Sequence, residues 1–377
     1  MIRAILFLGA FFLASFSAHA AQPVPAAPQL SAKSYLLGDF DSGKLLVEKD
    51  IHQRMEPASL TKMMSSYVIY QALRDHQISL DDKVRISRKA RAMEGSRMFV
   101  EEGSLVSVSD LLKGMIVQSG NDATVALAEH VGGTEDVFVS MMNAQAEALG
   151  MRETHFANST GLPDPEHYTT AADLFILTRA LIRDFPEDYP LYSIKHFEYN
   201  KIKQSNRNRL LWTDKRVDGV KTGHTQSAGF CLVASGKEQG MRLISVVLGT
   251  DSDDQRSAQS RALLNYGFRF FETRKLYAGG QEIASARVWK GDNDKLSMGV
   301  AEDVYLTFPR GRFERIKATL DRPKTLVAPI SKGQAIGTVT LRLGDETLRE
   351  LPLIALDDVG EGGLFRRMID TVQLLWE

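Results

Sequence analysis

Glu56-Pro-Ala-Ser-Leu-Thr-Lys-Met-Met64 decides how the rest of this chain is read. Pro57 and Ser59 open a helix, and Met63, Met64, Tyr67 and Val68 then recur at helical spacing. Ser59 and Lys62 stand three apart, so at the start of a helix the amine lies one turn from the hydroxyl, on the same face. A helix N-terminus adds unpaired N–H groups and a positive end where an oxyanion would form. A neutral lysine can take the serine proton once burial and neighbouring cations lower its pKa. Taken alone, the pair equally describes a serine N-cap followed by an exposed lysine.

Two further short patterns follow in order. Ser119-Gly120-Asn121 falls in a break between helical runs, where a tight turn can point a hydroxyl and a carboxamide into one cleft. Ser119 could relay a proton there, and Asn121 could bond a substrate amide while holding Lys62. Lys221-Thr222-Gly223, followed by His224, precedes a strand-like run and would present a cation and a hydroxyl from an edge strand to an anionic substrate terminus. Gly223 would let a ligand backbone lie close. Each has a plain alternative, a helix–helix turn capped by Asn121 or Asp122 and a charged edge strand that resists aggregation.

Around these patterns, Tyr35-Leu-Leu and Lys44-Leu-Leu-Val flank a turn at Asp39–Gly43 and predict a strand pair. Helical patterns cover 109–117, 123–131, 134–149 and 170–182. After Asp218 short apolar runs at Val220, 229–234 and 243–249 suit strands, and 255–271 returns to helix. Strands at both ends with helices between them predict an α/β (α+β) domain with an antiparallel sheet. Beyond Glu272 the helical period disappears, and runs at 304–306, 316–320, 325–328, 335–343 and 347–353 with Gly-containing turns predict a smaller all-β domain.

The order SxxK, SxN, KTG, each occurring once, with sixty residues from Ser59 to Ser119 and about a hundred more to Lys221, is the signature of penicillin-binding proteins and serine β-lactamases. The chain resembles the low-molecular-mass penicillin-binding proteins, D-alanyl-D-alanine carboxypeptidases of serine peptidase family S11 with a β-rich second domain and an amphipathic C-terminal anchor. Gln118–Asp122, Asn206-Arg-Asn-Arg-Leu-Leu-Trp212, Val217–Thr225 and Gly267–Thr273 carry the likeness beside the first motif.

This resemblance implies Ser59 as the acylated nucleophile, Lys62 as its base, Ser119 and Asn121 on the second edge of the cleft, and Lys221, Thr222, Gly223 and His224 on the third. The Ser59 and His224 N–H groups would form the oxyanion hole, and Arg207 or Arg256 would receive the substrate carboxylate. Peptidoglycan stems ending in D-Ala-D-Ala and β-lactams are the implied partners, with no metal or organic cofactor. In the loop at 158–167, Thr160 stands where relatives often carry His, which leaves Glu166 and His167 as loop groups that could assist deacylation. A β-lactamase on the same fold, a transpeptidase and a catalytically idle wall-binding protein are the competing readings.

The ends fit the same picture. Arg3, an apolar run from Ala4 to Phe16 and Ala18-His19-Ala20 predict a cleaved signal peptide at 1–20. The predicted units are then 21–271 catalytic, 272–357 all-β and 358–377 an amphipathic helix. On that helix Leu364, Phe365, Met368, Ile369, Val372, Leu375 and Trp376 share one face, which suits interfacial binding to the outer surface of the inner membrane. The glycines at 360, 362 and 363 suggest that the helix need not pack on the body. With 46 Lys plus Arg against 47 Asp plus Glu, the chain lacks the basic surface that nucleic-acid binding demands. The lone Cys231 excludes an internal disulfide or a cysteine-based zinc site.

Overall fold

The computed structural model describes residues 24–375. The predicted signal peptide and Trp376 lie outside that range. The hairpin β1 (Ser34–Asp39) and β2 (Leu45–Lys49) joins a three-stranded meander, β3 (Val217–Thr225), β4 (Gly229–Glu238) and β5 (Met241–Thr250). All neighbours are antiparallel in the order β2-β1-β5-β4-β3, so the strand carrying Lys221 forms an edge. Every residue of β5 is buried because the sheet is covered on both faces. Ile244, Val246 and Leu248 join one apolar core and Leu243 and Val247 the other, as the two-residue period of a strand requires.

The first core is helical: α1 (Lys62–Arg74), α2 (Val108–Val117), α3 (Asn121–Gly132), α4 (Glu135–Leu149) and α5 (Ala171–Asp184). The opposite face is covered by α6 (Asp253–Phe270), through Leu263, Leu264 and Phe268. Ser107, Thr134, Thr170 and Ser252 each accept a backbone N–H three residues on, which fixes where α2, α4, α5 and α6 begin. From Lys62 to Tyr70, α1 is buried without interruption, so it runs through the middle of the helical layer rather than along its surface. That position puts the lysine of the first motif inside the protein.

The second domain opens with Phe271–Tyr277 paired to Val304–Pro309 and continues as a six-stranded sheet around Val288, Leu296, Met298, Val339, Leu341 and Leu353. At its junction with the first domain the Thr273 hydroxyl donates to Asp39 at 2.7 Å, and the Ser42 and Thr307 hydroxyls lie 2.6 Å apart. Arg310 adds hydrogen bonds to the carbonyls of Phe268 and Phe271 at 2.8 and 3.0 Å.

The terminal helix α7 (Leu364–Leu374) departs from expectation, because it is docked on the β domain by its polar side. Asp370 is buried and accepts the Lys290 N–H at 2.6 Å, while Arg287 donates to Gln373. Leu364, Phe365, Met368, Ile369, Val372 and Leu375 all face outward. Among the described residues, no helix is long and apolar enough to cross a membrane.

Candidate active site

Residues 58–61 form one turn of 3-10 helix ahead of α1. Ala58 takes a positive φ of 47°, an unusual conformation for a residue with a Cβ, and Ser59 beside it lines the cleft. The edge strand packs directly against this turn. A Cβ on Gly223 would lie 2.9 Å from the Pro57 carbonyl oxygen and 3.3 Å from Ala58 Cβ. The glycine therefore admits the turn that carries Ser59, where the sequence had suggested room for a ligand.

Lys62 Nζ is enclosed, with three acceptors: Ser59 Oγ at 3.1 Å, Asn121 Oδ1 at 2.7 Å and the Thr160 carbonyl at 2.6 Å. Burial pushes its pKa down to about 7; the Asp122 carboxylate resists this and Arg207 adds to it. A neutral amine fits the same geometry, giving its two protons to Asn121 and Thr160 and turning its lone pair toward the Ser59 hydroxyl. Lys221 Nζ donates to Ser119 Oγ at 2.9 Å and to its neighbour's carbonyl at 3.1 Å. Burial, and then Lys62, Arg207 and Arg256, hold its pKa well below the usual lysine value. The three motifs thus meet as one chain of contacts, from Ser59 through Lys62 to Asn121 and from Ser119 to Lys221.

The second motif is held by features with little sequence signal. Ser119 has φ 65°, Asn121 donates from Nδ2 to the Glu94 carbonyl at 2.6 Å, and its N–H donates to the Ser96 carbonyl at 2.7 Å. The neighbouring Asp122 is buried and accepts the N–H groups of Met98, Phe99, Val100 and Ala123 at 2.7–3.2 Å. A carboxylate so supplied with donors pins the loop that forms the cleft's upper wall. Two adjoining hollows of about 400 and 480 Å³ meet over Ser59, sharing Ser96, Arg207 and His224.

The two candidate arginines differ. Arg207 faces both hollows and, among the described residues, is held only by Nε to the Gln118 carbonyl at 3.3 Å. Arg256 reaches the cleft wall, but its guanidinium is committed: Nη1 donates to the Gly223 and Cys231 carbonyls at 3.0 and 3.3 Å, and Nη2 pairs with Asp253. His224 is exposed and stacks on Phe230, with ring centroids 4.0 Å apart. Arg209, which the sequence did not single out, lines the first hollow while ion-paired to Asp253.

The 158–167 loop also reads differently in three dimensions. Thr160 serves Lys62 through its main-chain carbonyl, while its hydroxyl turns to Asn158 at 3.1 Å. Glu166 is exposed and lines neither hollow. His167 is buried behind the 58–61 turn, 2.7 Å from Thr61 Oγ1, and burial lowers its pKa to about 4. Neither side chain is in place to activate a deacylating water, which removes the feature that favoured a β-lactamase.

Comparison with known proteins accords with this geometry. Residues 20–252 match the D-alanyl-D-alanine carboxypeptidase family (peptidase S11), and residues 271–361 match the C-terminal domain of penicillin-binding protein 5. The chain is 45% identical to the D-alanyl-D-alanine carboxypeptidase DacA of Escherichia coli K12, over 94% of this chain and 90% of that protein. Penicillin-binding protein 5 of Haemophilus influenzae superimposes with a TM-score of 0.87 at 44% identity, covering 89% of this chain and all of that one. An ampicillin-bound penicillin-binding protein D2 of Listeria monocytogenes aligns with a TM-score of 0.59 at 30% identity, over 63% and 98% of the two chains. A penicillin-binding fold with all three motifs in contact, followed by the matching all-β domain, makes this chain a member of the D-alanyl-D-alanine carboxypeptidase family of serine peptidases.

Proposed function

We propose that the protein removes the terminal D-alanine from peptidoglycan stem peptides through an acyl-enzyme on Ser59, and that β-lactams acylate the same serine. The observation that carries this reading is the enclosed Lys62 amine, 3.1 Å from Ser59 Oγ with its remaining contacts fixed by Asn121 and Thr160. Neutral Lys62 takes the hydroxyl proton as Oγ attacks the penultimate D-Ala carbonyl. The oxyanion forms between the Ser59 and His224 N–H groups. Collapse breaks the peptide bond, and Ser119 gives its proton to the departing amine and is resupplied through Lys221. Water then attacks the ester carbonyl and gives its proton to the Ser119–Lys221 pair, while Lys62 returns to Ser59 Oγ the proton it took, which releases the shortened peptide and restores the Ser59 hydroxyl.

Arg207 and the Thr222 hydroxyl receive the substrate's terminal carboxylate. Arg256 supports that surface from behind, since its contacts fix the carbonyl of Gly223 beside them. The carboxylate also draws Lys221 toward its charged form, because it brings a countercharge beside Lys62, Arg207 and Arg256. The proposed organisation is a signal peptide at 1–20, a catalytic unit at 21–271, a β-rich unit at 272–357 and a helix at 358–377. Export followed by attachment through the outward apolar face of α7 would place the enzyme on the outer surface of the inner membrane.

The test is a paired assay on protein lacking residues 1–20 and 364–377. D-Ala release from a peptide ending in D-Ala-D-Ala is recorded beside the lifetime of the penicillin adduct. Rapid release with a long-lived adduct, both abolished in Ser59→Ala, is expected. Fast penicillin turnover without D-Ala release would overturn the reading.

A further inference from the structure

Behind the nucleophile, three buried groups that touch neither hollow form an ordered chain. The Ala157 N–H donates to His167 Nδ1 at 3.0 Å, so that nitrogen carries no proton and the neutral ring is protonated on Nε2. His167 Nε2 lies 2.7 Å from Thr61 Oγ1, and the Thr61 hydroxyl donates to the Ala58 carbonyl at 2.8 Å. A carbonyl can only accept, so the hydroxyl must spend its one proton there and accept from the histidine. Both constraints select the same tautomer and give the chain one direction, from His167 through Thr61 to the Ala58 oxygen. Ala58, Thr61 and His167 are each no more than 2% exposed, so water does not compete for these bonds.

The end point gives the chain its meaning. The Ala58 carbonyl and the Ser59 N–H belong to one trans peptide and point in opposite directions in one plane. A hydrogen bond that anchors the carbonyl inward therefore aims the N–H outward over the cleft. It also polarises the peptide and strengthens that N–H as a donor. We infer that Thr61 and His167 are positioning residues for the oxyanion hole, acting on the reaction through the Ala58–Ser59 peptide. The inference rests on the reading of Ser59 as the acylated serine. It is independent of the loop base that the sequence invited, because His167 faces away from the cleft.

Thr61→Val keeps the shape and removes the hydroxyl, and Thr61→Ser keeps the hydroxyl. With a penicillin labelled at its β-lactam carbonyl with carbon-13, infrared difference spectra of the acyl-enzyme report the strength of the oxyanion hole directly. Expected in Thr61→Val are an ester carbonyl band shifted to higher wavenumber and acylation slowed roughly ten- to a hundredfold, less than the loss of a whole donor brings. Thr61→Ser should return both toward wild type. His167→Phe, which keeps an aromatic ring against Phe156, should move the band in the same direction by less, and it serves as the second variant if Thr61→Val fails to fold. An unshifted band with wild-type acylation in whichever of the two variants folds would overturn the inference while leaving the Ser59 reading intact. A wild-type protein that forms no acyl-enzyme at Ser59 would overturn both.

Discussion

Acylation should follow the neutral fraction of Lys62, and its pH dependence is open to direct measurement. An ordinary lysine at 10.5 is neutral in only about three molecules in ten thousand at pH 7. Lowered to about 7, Lys62 is neutral in half of them, so burial raises the competent fraction more than a thousandfold. The same difference is roughly 5 kcal/mol of bias against the ammonium, set by desolvation and tempered by Asp122. The assay is the second-order rate constant for labelling by a fluorescent penicillin between pH 5 and 9, which reports groups of the free enzyme. The rate should fall about tenfold per pH unit below a midpoint near 7 and level off above it. Arg207→Gln should move the midpoint upward, because a cation that disfavours the ammonium is removed. Its exposure to solvent keeps that shift small. A profile flat from pH 5 to 9, or a midpoint unchanged from ordinary lysine, would refute Lys62 as the base.

Other outcomes follow from particular contacts. Lys62→Arg preserves charge but cannot deprotonate at working pH, so penicillin labelling should fall by at least a thousandfold while the fold persists; normal labelling would reassign the base. Gly161 has φ 87°, and a Cβ there would sit 1.8 Å from the Ala58 oxygen. Gly161→Ala should therefore depress both melting temperature and acylation. Gly103→Ala, at φ 75° with nothing within 4 Å, should cost about 1 kcal/mol and leave acylation unchanged, and equal effects on acylation would sink the steric argument. Neutral His167 destabilises the fold in acid, because the unfolded chain binds its proton from about pH 6.5 downward and the folded one only near 4. Denaturant titrations should show wild type losing up to roughly 3 kcal/mol more than His167→Phe across that interval, and parallel losses would show that His167 titrates normally in the fold. Removing residues 364–377 should abolish co-sedimentation with phospholipid vesicles and leave D-Ala release from soluble peptide unchanged; retained binding would place the attachment elsewhere.

Some of these features are legible in the amino-acid sequence and others are not, for identifiable physical reasons. Helices α2 to α6 announce themselves through apolar periods and, in all but α3, through Ser and Thr caps, so their ends fall within two residues of expectation. The hairpin at His196–Ser205 was missed because its turn is Asn200-Lys201, both at positive φ, without the glycine that usually marks such a turn. The strand Glu282–Trp289 alternates mainly through Ala284 and Ala286, too small to register as an apolar face. In the site, the one-turn spacing of Ser59 and Lys62 is a local fact and was legible. Asp122 offers in the sequence no more than a cap for a helix–helix turn, yet it gathers N–H groups from a loop more than twenty residues away. The commitment of Arg256 depends in the same way on partners brought in by the sheet. The Thr160 contact runs through the main chain, and no side-chain motif could encode it.

The mounting of α7 has a consequence for which substrates the enzyme could meet. On the proposed attachment, a helix hung from a flexible tether would let the cleft sample a broad volume above the bilayer, with a local substrate concentration set by tether length. A helix bolted down through Asp370 would instead fix the tilt and height of the catalytic unit relative to the lipid surface. Hydrolysis would then be confined to stem peptides lying in one narrow layer of the wall. The thickness of the β-rich unit would act as a ruler for that layer.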